Sequence, residues 1–163
     1  MFHYNRNMFK KLIEFFTKLK PKQEEILVVF DGDQVSVKLY KRFYDKKTTN
    51  IKHIWVHARD TVPKGLPVDQ TEVKKAFKFG KESVDKLIAI TVTKECALNR
   101  NMKEVHIVSG DGDMVDVCAT LATEYAHVKF NALHINSRPM KRGIRAFLKT
   151  APSNCNFVSI SSC

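Results

Sequence analysis

Two apolar runs in this chain each end in a glycine turn that carries paired aspartates. Ile26–Phe30 (ILVVF) leads into Asp31-Gly32-Asp33, and Val105–Val108 (VHIV) leads into Ser109-Gly110-Asp111-Gly112-Asp113. Continuous β-branched runs suit the strands of a parallel sheet covered on both faces. After the second turn, Met114, Cys118, Leu121, Ala122 and Tyr125 recur at helical spacing. That stretch therefore reads as strand, turn and helix. In open α/β sheets, sites form outside the carboxyl ends of strands, where these turns sit. Two carboxylates two residues apart there suggest a site for a hard cation, because oxygen ligands suit Mg²⁺ or Mn²⁺.

The remaining segments alternate in the same way. Residues 7–20 place Met8, Leu12, Phe15, Phe16 and Leu19 on one helical face, with lysines elsewhere, and Pro21 ends the run. Residues 1–22 are thus expected to form a basic amphipathic helix, and 23–163 a single α/β domain. The helix is expected to dock on its own domain or to mediate a homo-oligomer, since an uncovered Met-Phe face is a liability. A helix follows the first aspartate turn, with Leu39, Tyr40 and Phe43 inward, and Lys52–Ala58 reads as a second strand. Asp69-x-x-Glu72 has the form of a capping box, which predicts a short helix with Val73, Ala76 and Phe77 inward. Ser83 is expected to cap the next helix, which carries Val84, Leu87, Ile88, Thr91 and Glu95 and has Asp85 in its first turn. His127–Ile135 reads as a strand, a helix is expected after Pro139, and Phe157–Ile160 as a last strand. Alternating strands and helices argue for a parallel sheet with helices on both faces.

Charge narrows the choice of partner. Lys and Arg number 28 against 17 Asp and Glu, a formal charge of +11. Such a surplus bears on partners rather than on fold, and nucleic acid is the first partner to consider. Cys96, Cys118, Cys155 and Cys163 form no CxxC and no zinc pattern, which fits a reducing compartment. No apolar run approaches the ~20 residues of a membrane span. Lys10, Lys11, Glu14 and Lys18 break up any apolar signal core. The expected location is cytoplasmic. Arg59, Lys64, Lys74, Lys78 and Lys81 lie in the segments leading to Asp85 and are candidates for gripping phosphates. The histidines fall mostly on expected strands, where a structural role is the default.

Acids come from three places: Asp31 and Asp33, Asp85, and Asp111 with Asp113. If the two aspartate-ended strands are neighbours, their carboxyl ends lie ~5 Å apart and can share a metal. A basic surface around an acidic metal pocket is the charge plan of a nuclease.

These residues resemble the NYN domain, a branch of the PIN-like nucleases. The resemblance rests on VSGDGDM, on Asp31 after ILVVF, and on Ser83-Val84-Asp85 opening a helix between them, and it covers about residues 26–148. It implies a three-layer α/β/α sandwich with a mainly parallel central sheet. It also implies metal-dependent phosphodiester hydrolysis, usually of RNA, by an endonuclease using Mg²⁺ or Mn²⁺. Carried over, Asp31, Asp85, Asp111 and Asp113 are the catalytic metal ligands, with Ser109 as the small hydroxyl residue. Two positions depart from the family pattern. Gln34 stands where the family usually has Asn, and Thr91 where it often has a second helix acid. Asp33, Glu82 or Asp116 is available to support the site. Two alternatives stay open: a nucleic-acid-binding module on the same fold with weakened catalysis, and a haloacid-dehalogenase-like phosphatase. The second rests on Asp31-Gly32-Asp33-Gln34-Val35, with Asp31 as nucleophile and Asp33 as acid.

Overall fold

The computed structural model describes residues 25–43, 50–77, 82–135, 144 and 149–161. The helix expected over 7–20, most of the helix expected after Pro139, and Lys78 and Lys81 lie outside the described residues. In chain order the elements are β1 (Ile26–Asp31), α1 (Val37–Phe43), β2 (Ile51–His57), β3 (Glu72–Lys75), α2 (Ser83–Leu98), β4 (Glu104–Ser109), α3 (Met114–Glu124), β5 (Lys129–Ile135) and β6 (Cys155–Ile160). The strands form one sheet in the order β3-β2-β1-β4-β5-β6, and every neighbouring pair is parallel. This is the PIN-like α/β architecture expected of the chain.

The sheet is covered on both faces, and β1 shows how. Leu27 and Val29 belong to one apolar cluster with Val84, Ile88 and Val92 of α2 and with Met114 and Cys118 of α3. Val28 and Phe30 belong to a second cluster with Leu39 and Tyr40 of α1. Alternate residues of a strand point to opposite faces. Hence α2 and α3 lie on one side and α1 on the other, and a strand buried on both sides needs an unbroken apolar run. The α1 side is aromatic: the Phe30 ring lies 4.8 Å from Tyr40 and 6.2 Å from Trp55. Full burial of each such side chain contributes about 1.5–3 kcal/mol.

The short helix expected after Asp69 is a strand. Glu72–Lys75 pairs in parallel with Ile54–His57 and ends the sheet. The exposed edge of β2 supplies backbone partners that a local helix would leave unmade. Glu72 does not close a capping box; its carboxylate meets Lys52 at 2.9 Å and Lys74 at 3.1 Å. Phe77, expected inward, is exposed. Ser83 is not the cap of α2 either: Glu82 holds that position, in a left-handed conformation with φ 69. Among the described residues, no helix is long and apolar enough to cross a membrane.

Gly32 leaves β1 directly beneath the indole of Trp55, and a Cβ there would run into the ring. Trp55 is wholly buried and has no room to withdraw. Gly32→Ala is therefore expected to destabilise the domain by about 1–3 kcal/mol, read by urea denaturation. An unchanged midpoint would show that the turn does not depend on this contact.

Candidate active site

The site begins with strand order. The chain runs from β1 to β2 on one side, then returns so that β4 lies against β1 on the other. Between β1 and β4 the connections diverge, and such a divergence opens a crevice at the carboxyl edge. Phe30 pairs with Val108, so the next residues, Asp31 and Ser109, end the two strands side by side. Both are about 1% exposed. By alternation from Val29 and Ile107, both point to the face that α2 and α3 cover.

Ser109 ties the two turns together. Its hydroxyl donates to Asp31 Oδ2 at 2.8 Å and accepts the Asp111 N–H at 3.0 Å. Asp31 Oδ1 accepts the Asp33 N–H at 3.2 Å, and Asp111 Oδ1 accepts the Asp113 N–H at 3.0 Å. Each turn thus closes on its own leading carboxylate, an arrangement typical of aspartate turns. Gly110 lies under the Gln34 carboxamide, where a Cβ would strike its oxygen. The glycine lets Gln34 of the first turn lie over the second.

The first turn of α2 brings Asp85 to the same place. Asp31, Asp85 and Asp111 line one cleft of about 720 Å³, together with Asp33, Gln34 and Arg59. Burial pushes the Asp31 carboxyl up to about 6 from its ordinary 3.8. Hydrogen bonds from Ser109 and Asp33 work against that rise, while the charges of Asp85 and Asp33 add to it. Asp85 is also raised, first by burial and then by the charges of Asp111, Glu82 and Asp113. Among the described residues, the charges that raise these two carboxylates are all acidic. Like charges gathered in this way favour a bound cation.

The donor chemistry therefore fits a hard divalent ion. As the side chains stand, no group of three His, Cys, Asp or Glu among the described residues is close enough to hold one.

The other sequence candidates fall in different places. Asp113 occupies the N-cap position of α3, and with Asp85 and Asp116 it lines an adjacent groove between α2 and α3. Asp33 lines the main cleft but is engaged elsewhere: its Oδ1 accepts the Ala58 N–H at 3.2 Å and lies 3.6 Å from Arg59 Nε. Thr91 is buried and does not line the cleft. Six residues past Asp85, it is rotated by roughly 240° about the helix axis and lies ~9 Å further along. A strand-end Thr, which the phosphatase alternative needs, is thus not supplied by Thr91. Lys74 is paired with Glu72, whereas Lys64 is exposed in the loop between β2 and β3 and stands apart from the cleft. The pairing of Asp33 with Ala58 and Arg59 had no sequence signal, because it joins two strand ends far apart in the chain.

The family model of the NYN domain matches residues 1–143. No curated protein and no solved structure matches the chain.

The raised Asp31 carboxyl has a consequence for stability. An acid whose value is higher folded than unfolded binds its proton more tightly in the native state. The cost of burying ionised Asp31 is then fully present above about pH 6 and fades as the pH falls toward 3.8. In EDTA, Asp31→Asn should raise stability at neutral pH by on the order of 2–3 kcal/mol, with the gain shrinking through that window. Thermal melts across the pH range check this; a variant that loses stability at neutral pH would refute it.

Proposed function

Because the chain belongs to the NYN domain family, a branch of the PIN-like nucleases, we propose that it is a metal-dependent endoribonuclease acting at the Asp31–Asp85–Asp111 cleft. The single observation that carries this reading is the convergence of acids from β1, α2 and the β4 turn on one crevice, where the neighbouring charges that raise Asp31 and Asp85 are acidic. Asp31, Asp85 and Asp111 would hold Mg²⁺ or Mn²⁺, with Asp113 joining from the head of α3. Such an ion, when bound, supplies Lewis acidity and lowers the pKa of water at the phosphodiester.

The chain's own residues do the remaining work. Ser109 fixes Asp31 Oδ2 and orients the Asp111 turn. The protein scaffold around Asp31 excludes water from that carboxylate, so its charge acts at full strength on whatever enters. Gln34 faces the cleft with a carboxamide able to donate to a phosphate oxygen. The net charge of +11 draws a polyanion toward the surface before the cleft is reached. RNA is the proposed substrate on the family's general preference.

A second reading, a nucleic-acid-binding module without catalysis, is favoured by one observation: no three ligands meet at a point among the described residues. Purified protein incubated with labelled RNA or DNA, in Mn²⁺ or in EDTA, separates the two. The nuclease reading expects Mn²⁺-dependent cutting of RNA that Asp111→Asn lowers by at least about 100-fold, the scale of removing a group from a reacting centre. It also expects Mn²⁺ to raise the Tm of the wild type and not that of Asp31→Asn. Salt-sensitive binding with no cutting under any metal would favour the binding module instead.

A further inference from the structure

The cleft carries far more negative than positive charge. Five of its described lining residues are acids: Asp31, Asp33, Glu82, Asp85 and Asp111. Arg59 is the one cation among the described residues that line it. A bound metal would neutralise the Asp31–Asp85–Asp111 side. At the rim formed by the end of β2, Arg59 is the cation among the described lining residues that can meet a phosphate.

Arg59 is held there by two contacts to one residue. Its Nη2 donates to the Asp33 backbone oxygen at 2.9 Å, and its Nε lies 3.6 Å from Asp33 Oδ1. The same Oδ1 accepts the Ala58 N–H at 3.2 Å, so Asp33 also anchors the backbone from which Arg59 springs. Asp33 is itself fixed to the site, because its N–H donates to Asp31 Oδ1. A continuous set of contacts thus runs from the buried aspartate to the guanidinium. One of the five guanidinium N–H groups donates to the Asp33 carbonyl, the Nε–H faces the Asp33 carboxylate at 3.6 Å, and three remain. A planar fork with free donors suits phosphate oxygens, and a guanidinium already fixed loses little freedom on binding.

We infer that Asp33 is a positioning residue rather than a metal ligand: it holds Arg59 on the cleft rim, where the guanidinium contacts the phosphate being cleaved. This rests on the nuclease reading above. Of the described basic candidates, it singles out Arg59 as the one that meets the reacting phosphate, while Lys64 and Lys74 attract the strand at a distance.

The sign of one substitution separates positioning from plain electrostatics. Removing an acid from a cleft that takes a polyanion should strengthen binding, unless that acid holds a needed cation in place. Cleavage of a single-stranded RNA in Mn²⁺ is measured for wild type, Arg59→Ala, Arg59→Lys, Asp33→Ala, Asp33→Asn and the Asp33→Ala/Arg59→Ala double variant. Arg59→Ala should lower kcat/KM by about 10- to 100-fold, the scale of one charge-assisted hydrogen bond. Asp33→Ala should lower it too, and the double variant should be no worse than Arg59→Ala alone, since Asp33 acts through Arg59. Arg59→Lys keeps the charge without the fork and should restore only part of the rate. Asp33→Asn keeps the acceptor for Ala58 N–H; it should fall between wild type and Asp33→Ala, and it serves if the alanine variant does not fold.

Binding is read separately by anisotropy of a fluorescein-labelled single-stranded RNA in EDTA. Arg59→Ala should flatten the dependence of log Kd on log salt by about 0.7, one phosphate contact. Cleavage or binding by Arg59→Ala equal to wild type overturns the inference, as does faster cleavage or tighter binding by Asp33→Ala or, where that does not fold, by Asp33→Asn. A wild type that binds RNA but cuts nothing overturns the nuclease reading alone, and the anisotropy series still judges Arg59 and Asp33.

Discussion

The pairing of β1 with β4 is the constraint on which the site depends. Parallel register places Phe30 beside Val108, and from that pairing the ends of both strands meet. The Ser109–Asp31 hydrogen bond closes the join, with donor and acceptor both removed from water. A buried carboxylate without such a donor would cost considerably more to ionise. The rest of the cleft is arranged around this contact. The β4 turn folds back through the second lone pair of Ser109, and α2 crosses the same sheet face with its first turn at the carboxyl edge.

The molecule combines a basic chain with an acidic cleft, and the two act over different distances. A net charge of +11 creates an attraction that reaches on the order of a Debye length, about 8–10 Å at physiological salt. Within the cleft the described charges are mostly acidic, and burial lifts the Asp31 carboxyl to about 6 and raises that of Asp85 as well. The net charge attracts a polyanion, while the acids that line the cleft oppose its entry.

Much of this was legible in the sequence where a residue's environment is set by its own strand or helix. ILVVF and VHIV announce strands covered on both faces, and the helical spacing of Val84, Ile88 and Val92 announces α2. Asp31 and Asp111 could each be placed at a strand's carboxyl end in advance, and the pairing of β1 with β4 meets the condition for their approach. The failures share a cause: the residues concerned are defined by neighbours distant in the chain. In β3, Val73 is the only strongly apolar residue, and the segment is a strand because β2 offers an edge. Its local signature, Asp69 followed by Glu72, pointed to a helix. Asp33 lines the cleft as its place two residues from Asp31 suggests, but its contacts with Ala58 and Arg59 across the strand ends had no local signal. Thr91 seemed to mark a missing acid, but helical rotation carries it into the protein and away from the cleft.

Trp55 is the chain's single tryptophan, fully buried, with its indole pressed against Gly32 immediately after Asp31. The buried face of the turn that supplies the leading acid is therefore lined by the one strongly fluorescent side chain of the molecule. Its emission arises from a dry aromatic nest beside Phe30 and Tyr40, without interference from a second indole. Displacement of the β1 turn alters the surroundings of that ring before anything else on this face of the sheet. The protein thus carries an intrinsic optical gauge of the turn that leads into its acidic cleft, which needs no label to be read.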